Sequence, residues 1–371
     1  MSLTDRHVPE FHGFRAIAVT IVVLFHIWPA NDPYRFVLGL WWVMIDGFFT
    51  LSGLLITTIL LNTKGAPAYY RSFYLRRSAR VMPAYYLLVI PLLAATVWSN
   101  WHDLGDSVPA LWFLVYLGNF PVAWHGAYLY VARGILTPLW SLQMEEQFYA
   151  VAPIVVARLD TRRLTRLLCG ALALSLCLRV ALAWYWPWND LVQWVLLLCH
   201  IDSLAGGALL AIWFHKRGLV SPVRHLGAVT AAAYVALLAF AAAAGINHIT
   251  MWNRTLGFSL SAGGNALLIA WLALSSGSKG TAWLRHPVLH HIGKVSYAVY
   301  LLHVVVWEGL KSVDAWRPFI LEHRASPFVV LAISVGLATL SWHVIEMPVR
   351  RRLPAWSTRG GDMTPGSHAH P

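Results

Sequence analysis

The chain has 371 residues, of which 58% are hydrophobic and 12% charged, about half the charged share of an ordinary globular chain. This composition excludes a soluble globular enzyme. The net charge of +12 does not mark a nucleic-acid-binding surface either, because the basic residues fall in alternate loops between apolar runs of about twenty residues.

The runs predict an all-α polytopic membrane helix bundle. Ten transmembrane helices fit, at about 14–31, 37–62, 82–99, 139–157, 167–186, 191–214, 226–245, 255–275, 290–309 and 327–346. Residues 1–352 read as one membrane-embedded domain and 353–371 as a short disordered cytoplasmic tail. The first run carries no small-x-small cleavage site after His26-Ile-Trp-Pro29, so it is expected to stay as an uncleaved span. Arg15 and His26 lie at its two ends, and a helical rise of about 1.5 Å per residue separates them by about 16 Å. The guanidinium then enters at one membrane face while the imidazole lies near or beyond the midplane. An ionisable group at that depth is a functional candidate by default.

The second run holds Asp46 and Ser52. The third follows Phe73-Tyr-Leu-Arg-Arg77-Ser-Ala-Arg80, whose two numbered arginines, three positions apart, share a helix face and suit a phosphate or pyrophosphate. A positive-inside stop against lipid headgroups explains the same residues. Ala110–Leu117 is apolar but too short to cross and is expected to be interfacial or re-entrant. The fourth run opens from the outer side with Trp140-Ser-Leu-Gln-Met-Glu145-Glu146-Gln-Phe-Tyr149. Adjacent acids point about 100° apart on a helix, so only one easily faces a site, and either could orient a histidine.

Further along, Arg179 is expected to snorkel or to pair structurally, and Asp202 to pack helices or support a site. Asp46 has the same two readings. His303 on the ninth run lies at a depth similar to His26, and a structural hydrogen bond is its simpler explanation. The cysteines Cys169, Cys177 and Cys199 have no metal spacing and read as small core hydrophobes. No metal is expected. Twenty of the 28 basic residues fall in one set of loops and six in the other, which places both termini in the cytoplasm.

With these residues in place, the chain resembles the acyltransferase 3 family of bacterial integral membrane O-acyltransferases. The likeness runs from about Phe11 to Arg352. It rests on Arg15-x10-His26, Asp46-Gly-Phe-Phe-Thr-Leu-Ser52-Gly53, Phe73 to Arg80, Trp140 to Tyr149, Gly293-Lys-Val-Ser296-Tyr297-Ala-Val-Tyr-Leu-Leu-His303 and Ile345-Glu-Met-Pro348. His12 and His200 depart from the family pattern, which commonly has an acid and an arginine there.

The resemblance implies a stand-alone acyltransferase in the bacterial cytoplasmic (inner) membrane, among membrane lipids. It would move an acyl group, most simply acetyl, from acyl-CoA to a carbohydrate or glycosylated acceptor. His26 would be general base or acyl relay, with Arg15, Glu145 and Glu146 catalytic and Glu145 or Glu146 fixing the tautomer of His26. Arg77 and Arg80 would serve acyl-CoA, and Asp46, Ser52, Asp202, Ser296, Tyr297 and His303 would support the site. The rival expectation is a proton-coupled transporter or flippase for a sugar-containing or lipid-linked substrate, with the buried acids and histidines as a proton path.

Overall fold

The structure is a computed structural model and describes residues 8–99, 111–128, 134–219, 225–247 and 249–351. The described residues form a helix bundle without strands. Its helices are α1 (Glu10–Ile27), α2 (Trp41–Thr63), α3 (Tyr69–Ser99), α4 (Asn119–His125), α5 (Trp140–Arg158), α6 (Thr161–Tyr185) and α7 (Leu191–Val195). They continue with α8 (Leu197–Arg217), α9 (Leu226–Ala244), α10 (Phe258–Leu274), α11 (Pro287–Lys311), α12 (Arg317–Glu322), α13 (Ser326–Ser341) and α14 (Met347–Arg351).

Eight segments are long and apolar enough to cross a bilayer, which makes this an integral membrane bundle. Helices α5 and α11 have the length too, but α5 carries Glu145, Glu146 and Arg158, and α11 carries Lys294, Glu308 and Lys311. Each of the ten expected spans coincides with a helix or a pair of consecutive helices. The tail at 353–371 lies outside the described residues.

Helix ends follow local chemistry. Asp160 accepts a hydrogen bond from the Arg163 N–H at 2.8 Å and caps α6, and this bond holds its carboxyl below the usual carboxylate range. Pro287 and Pro327 occupy the first turns of α11 and α13, where a missing N–H costs nothing. Glu10, fully buried, accepts from Arg285 Nη1 at 2.7 Å, Ser276 Oγ at 2.7 Å and the Gly277 N–H at 2.9 Å, which pins the start of α1 to the loop before α11.

Between lipid-facing helices, association rests on close packing and internal polar contacts rather than on expulsion of water. Helices α2 and α8 cross at reciprocal glycines. A Cβ on Gly53 would stand 2.0 Å from the Leu204 carbonyl oxygen, and one on Gly207 would stand 1.9 Å from that of Thr50. The close crossing aligns Asp46 on α2 with His200 and Ser203 on α8. Asp46 Oδ1 accepts from the Ser203 hydroxyl and pairs with His200 Nδ1, both at 3.0 Å.

Helices α7 and α8 form one apolar span broken at Leu196, whose backbone is extended. A break inside a membrane frees carbonyls that need donors. Arg179 braces α8 just beyond this break. It is wholly buried, and Nε donates to the Thr255 carbonyl at 3.1 Å while Nη1 donates to Ser175 Oγ at 2.7 Å and to the Cys199 carbonyl. Nη2 reaches Asp202 Oδ2 at 2.8 Å and Ser259 Oγ at 2.5 Å. Asn119 adds a donor to the Val195 carbonyl at 2.9 Å. Of the two readings of Arg179, pairing is the one observed, with Asp202 as its carboxylate partner.

Two expectations change and one is met. Helix α3 starts at Tyr69, well before 82, because Tyr69 and Tyr74 hydrogen-bond the Pro153 and Ala150 carbonyls of α5 and draw the arginine-bearing turns into the bundle. Residues Leu111–Val115 make a short 3-10 helix followed by α4, in keeping with a segment that does not cross. Only Cys199 is a core cysteine. Cys169 and Cys177 lie exposed on α6, where a membrane protein places apolar groups toward lipid.

Candidate active site

Two cavities lie along the bundle interior. The first, about 80 Å³, is lined by Arg15 of α1, Ser52 of α2, Arg77 and Arg80 of α3, Glu145 of α5 and Tyr297 of α11, among others. Helical rise explains the presence of Arg77: eight residues into α3, it stands about 12 Å from the start of that helix. A groove of about 270 Å³ between α2 and α3 adjoins this cavity, sharing Arg77 and Arg80 and adding Arg76 and Tyr69.

The polar groups of the first cavity form one connected set. Arg77 Nε donates to Glu146 Oε1 at 3.2 Å and Nη2 to Glu145 Oε2 at 3.4 Å. Ser52 Oγ donates to Glu145 Oε1 and the Tyr149 hydroxyl to Glu145 Oε2, both at 2.9 Å. The Arg77 guanidinium also lies 3.8 Å from the centre of the Tyr149 ring. Arg15 stands within electrostatic reach of Glu145, Tyr149 and Arg77. Three guanidiniums, those of Arg15, Arg77 and Arg80, therefore face two carboxylates. With all five ionised, the set keeps one positive charge to offer an anion.

The second cavity is larger, about 590 Å³, and aromatic. His26, Trp41, Trp140, Trp194 and Trp307 line it together with Asp190, Glu308 and Lys311. Phe25 stacks on Trp41 with ring centres 4.7 Å apart, and the edge of the His26 ring meets Trp41 at 4.9 Å. The break between α7 and α8 brings Trp194 here.

The wall between the cavities is thin. Ser141 and Tyr300 line the first, and Pro138 and Trp140 the second. The Tyr300 hydroxyl donates to the Pro138 carbonyl at 2.7 Å, which leaves its oxygen to accept from Ser141 Oγ at 2.8 Å. One turn on, His303 Nδ1 stands 2.6 Å from the Tyr300 carbonyl, and His303 Nε2 stands 3.0 Å from His26 Nδ1. The two imidazoles lie nearly parallel, 13° apart with centres 5.2 Å apart.

Residues 8–345 match the family model described as an acyltransferase domain, acyltransferase 3. The chain belongs to the acyltransferase 3 family. It is 30% identical over 371 aligned residues to a putative peptidoglycan O-acetyltransferase of Bacillus subtilis, covering 93% of this chain and 55% of that one. It is 26% identical to a peptidoglycan O-acetyltransferase of Listeria monocytogenes, covering 93% and 56%. A putative O-acetyltransferase of Staphylococcus aureus is 25% identical, covering 93% and 58%. The chain thus spans about half the length of these curated relatives. No solved structure matches it.

For this acyltransferase 3 chain, the structure brings Arg15, Ser52, Arg77, Arg80, Glu145, Ser296 and Tyr297 to the first cavity and His26 to the second. The acids do not hydrogen-bond His26. Both go to Arg77, because its forked guanidinium reaches two carboxylates on successive residues, a contact that the 100° rule for single side chains does not anticipate. His26 is met by His303 instead. Asp46 and Asp202 lie off both cavities, in the polar contacts among α2, α6, α8 and α10.

The sequence reading passed over Tyr149, Ser141 and Tyr300 as site residues. Their spacing offered a signal: Tyr149 is four positions from Glu145 and Tyr300 three from His303, one helical turn in each case.

Proposed function

We propose that this chain is a membrane O-acyltransferase that moves an acyl group, in the simplest case acetyl, from cytoplasmic acyl-coenzyme A to a hydroxyl of a peptidoglycan-type sugar on the opposite side. The observation that carries this reading is the pair of cavities, one lined with guanidiniums and the other reached by an imidazole, with a wall one hydrogen-bonded layer thick between them. The surplus positive charge and the adjoining arginine-lined groove suit the phosphates of a coenzyme A donor. The aromatic cavity with carboxylates at its margin suits a sugar, whose apolar face rests on indole rings and whose hydroxyls donate to acids. The bias of basic residues to one set of loops supports a cytoplasmic arginine end. The names of the relatives support the acceptor class.

In the reaction, His26 takes the proton of the acceptor hydroxyl while that oxygen attacks the thioester carbon. The carbon–sulfur bond breaks, and the departing thiolate receives the proton, giving an ester and free coenzyme A. The same residues serve a relay in which His26 carries the acyl group between donor and acceptor. An acyl adduct on His26, trapped when acceptor is withheld, separates the relay from direct transfer.

The test uses purified protein in nanodiscs with labelled acetyl-coenzyme A and peptidoglycan fragments. One acyl group added per acceptor is expected by mass spectrometry, with a loss of about 10² to 10⁴-fold in His26→Ala. Sugar flux across vesicles without transfer to any acceptor would replace this reading with the transporter.

A further inference from the structure

Buried histidines are assigned a protonation form by what surrounds their two ring nitrogens. His303 is fully buried on α11, and its Nδ1 stands 2.6 Å from the backbone carbonyl of Tyr300. A carbonyl only accepts, so Nδ1 of His303 carries the hydrogen. In the neutral ring the lone pair is then on Nε2, and the group 3.0 Å from it is His26 Nδ1. That contact is a hydrogen bond only if His26 donates from Nδ1. The lone pair of neutral His26 is thereby on Nε2, on a ring that lines the aromatic cavity.

We propose that His303 is the positioning residue that fixes the tautomer of His26, and that the Tyr300 carbonyl is the anchor of the pair. This rests on the reading of His26 as the base or acyl carrier and identifies the nitrogen concerned as Nε2. In a serine-type triad a carboxylate performs the orienting task. Here Glu145 is committed to Ser52, Tyr149 and Arg77 and Glu146 to Arg77, and the group that meets His26 Nδ1 is the carbonyl-anchored imidazole of His303. Ring orientation is fixed as well as tautomer, because Trp41 meets the edge of His26 and His303 lies parallel to it. When Nε2 accepts the acceptor's proton, the Nδ1–H bond to His303 persists, and no proton need leave the pair.

The test compares three substitutions. His303→Gln can place an amide oxygen near the former Nε2 and still accept from His26. His303→Asn reaches only the former Nδ1 position, and His303→Leu accepts nothing. With acyl transfer as readout, Leu and Asn are expected to lower kcat by about 10² to 10⁴-fold with KM for donor and acceptor unchanged, while Gln keeps kcat within about tenfold of the native protein. A merely structural role would lower all three in step with their melting temperatures. Equal loss in Gln and Leu at matched melting temperatures, or native kcat in Leu, would overturn the proposal.

A second readout does not depend on acyl transfer. Diethylpyrocarbonate acylates the lone pair of neutral imidazole, and trypsin releases His26 and His303 on separate peptides, 16–35 and 295–311, each holding one histidine. His26 in the native protein and in His303→Gln is expected to react at matching rates, and severalfold more slowly in His303→Leu. Unchanged reactivity in the Leu variant would defeat the tautomer assignment even if the protein proves to be an acyltransferase. The expected pattern without any acyl transfer would leave the assignment standing and remove the function.

Discussion

Arg77 and Glu145 are the two side chains on which the contacts of the first cavity converge, and Arg77 carries the shared charge. It bridges two carboxylates, lies over the Tyr149 ring and lines both the cavity and the groove beside it. Its two acid partners are 14 and 12% exposed, so solvent screens the set only in part. Arg77→Lys keeps the charge but loses the fork and cannot serve both acids at once. Arg77→Met leaves two facing acids without their shared cation, a cost on the order of 3 kcal/mol before discounting for the residual exposure. A clear drop in melting temperature is expected for Met and a smaller one for Lys. Glu146→Gln should offset part of the Met defect in the double variant, and strict additivity would show that the three charges do not act as a unit. Arg77 and Glu145 were each legible as candidates from their motifs. Their mutual bond was not, because it joins residues 68 positions apart and depends on α3 beginning at Tyr69.

At the scale of helices, the break between α7 and α8 organises the aromatic cavity. An uninterrupted apolar helix from Leu191 to Arg217 would have satisfied its own backbone. The extended residue Leu196 leaves carbonyls without helical partners, of which Asn119 satisfies that of Val195, while Arg179 and Ser175 donate to the Cys199 carbonyl just beyond the break. Arg179 spreads five N–H bonds over Ser175, Cys199, Asp202, Thr255 and Ser259, whereas a lysine offers three from one atom. Arg179→Lys is therefore expected to lower the melting temperature and to disturb the Trp194 environment, read as a shift in tryptophan fluorescence relative to Trp194→Phe. Native stability in the Lys variant would mean that the five donors are not needed to hold the break. Periodicity could not reveal this element, because 191–214 reads as one span and its interruption carries neither proline nor glycine. Arg179 itself was visible as an oddity, a full charge in an apolar run. Its partners on three other elements were not.

Over the whole molecule, the proposed function requires that the arginine end and the His26 end face different compartments. Among exposed positions, Arg162 follows the cap of α6 on one side and Asp314 follows α11 on the other. With Cys169, Cys177 and Cys199 replaced by alanine, a membrane-impermeant maleimide added to sealed right-side-out vesicles is expected to label Asp314→Cys directly and Arg162→Cys only after permeabilisation. The reverse pattern would invert the assignment of donor and acceptor sides. The sequence by itself determined the solvent, the helical class, the approximate spans and the family, because those follow from hydropathy, charge distribution and local motifs, which are properties of contiguous stretches. It also isolated Arg15, His26 and His303, since an ionisable residue in an apolar run is conspicuous wherever its partner lies, and Arg77 and Glu145 through their motifs. Only the tertiary structure decided who pairs with whom: Glu145 with Arg77, Asp46 with His200, and His26 with His303, 277 positions away. Those pairings depend on helix crossings set by glycine contacts and on where α3 and α8 begin, and a few ångströms there decide which acid meets which base.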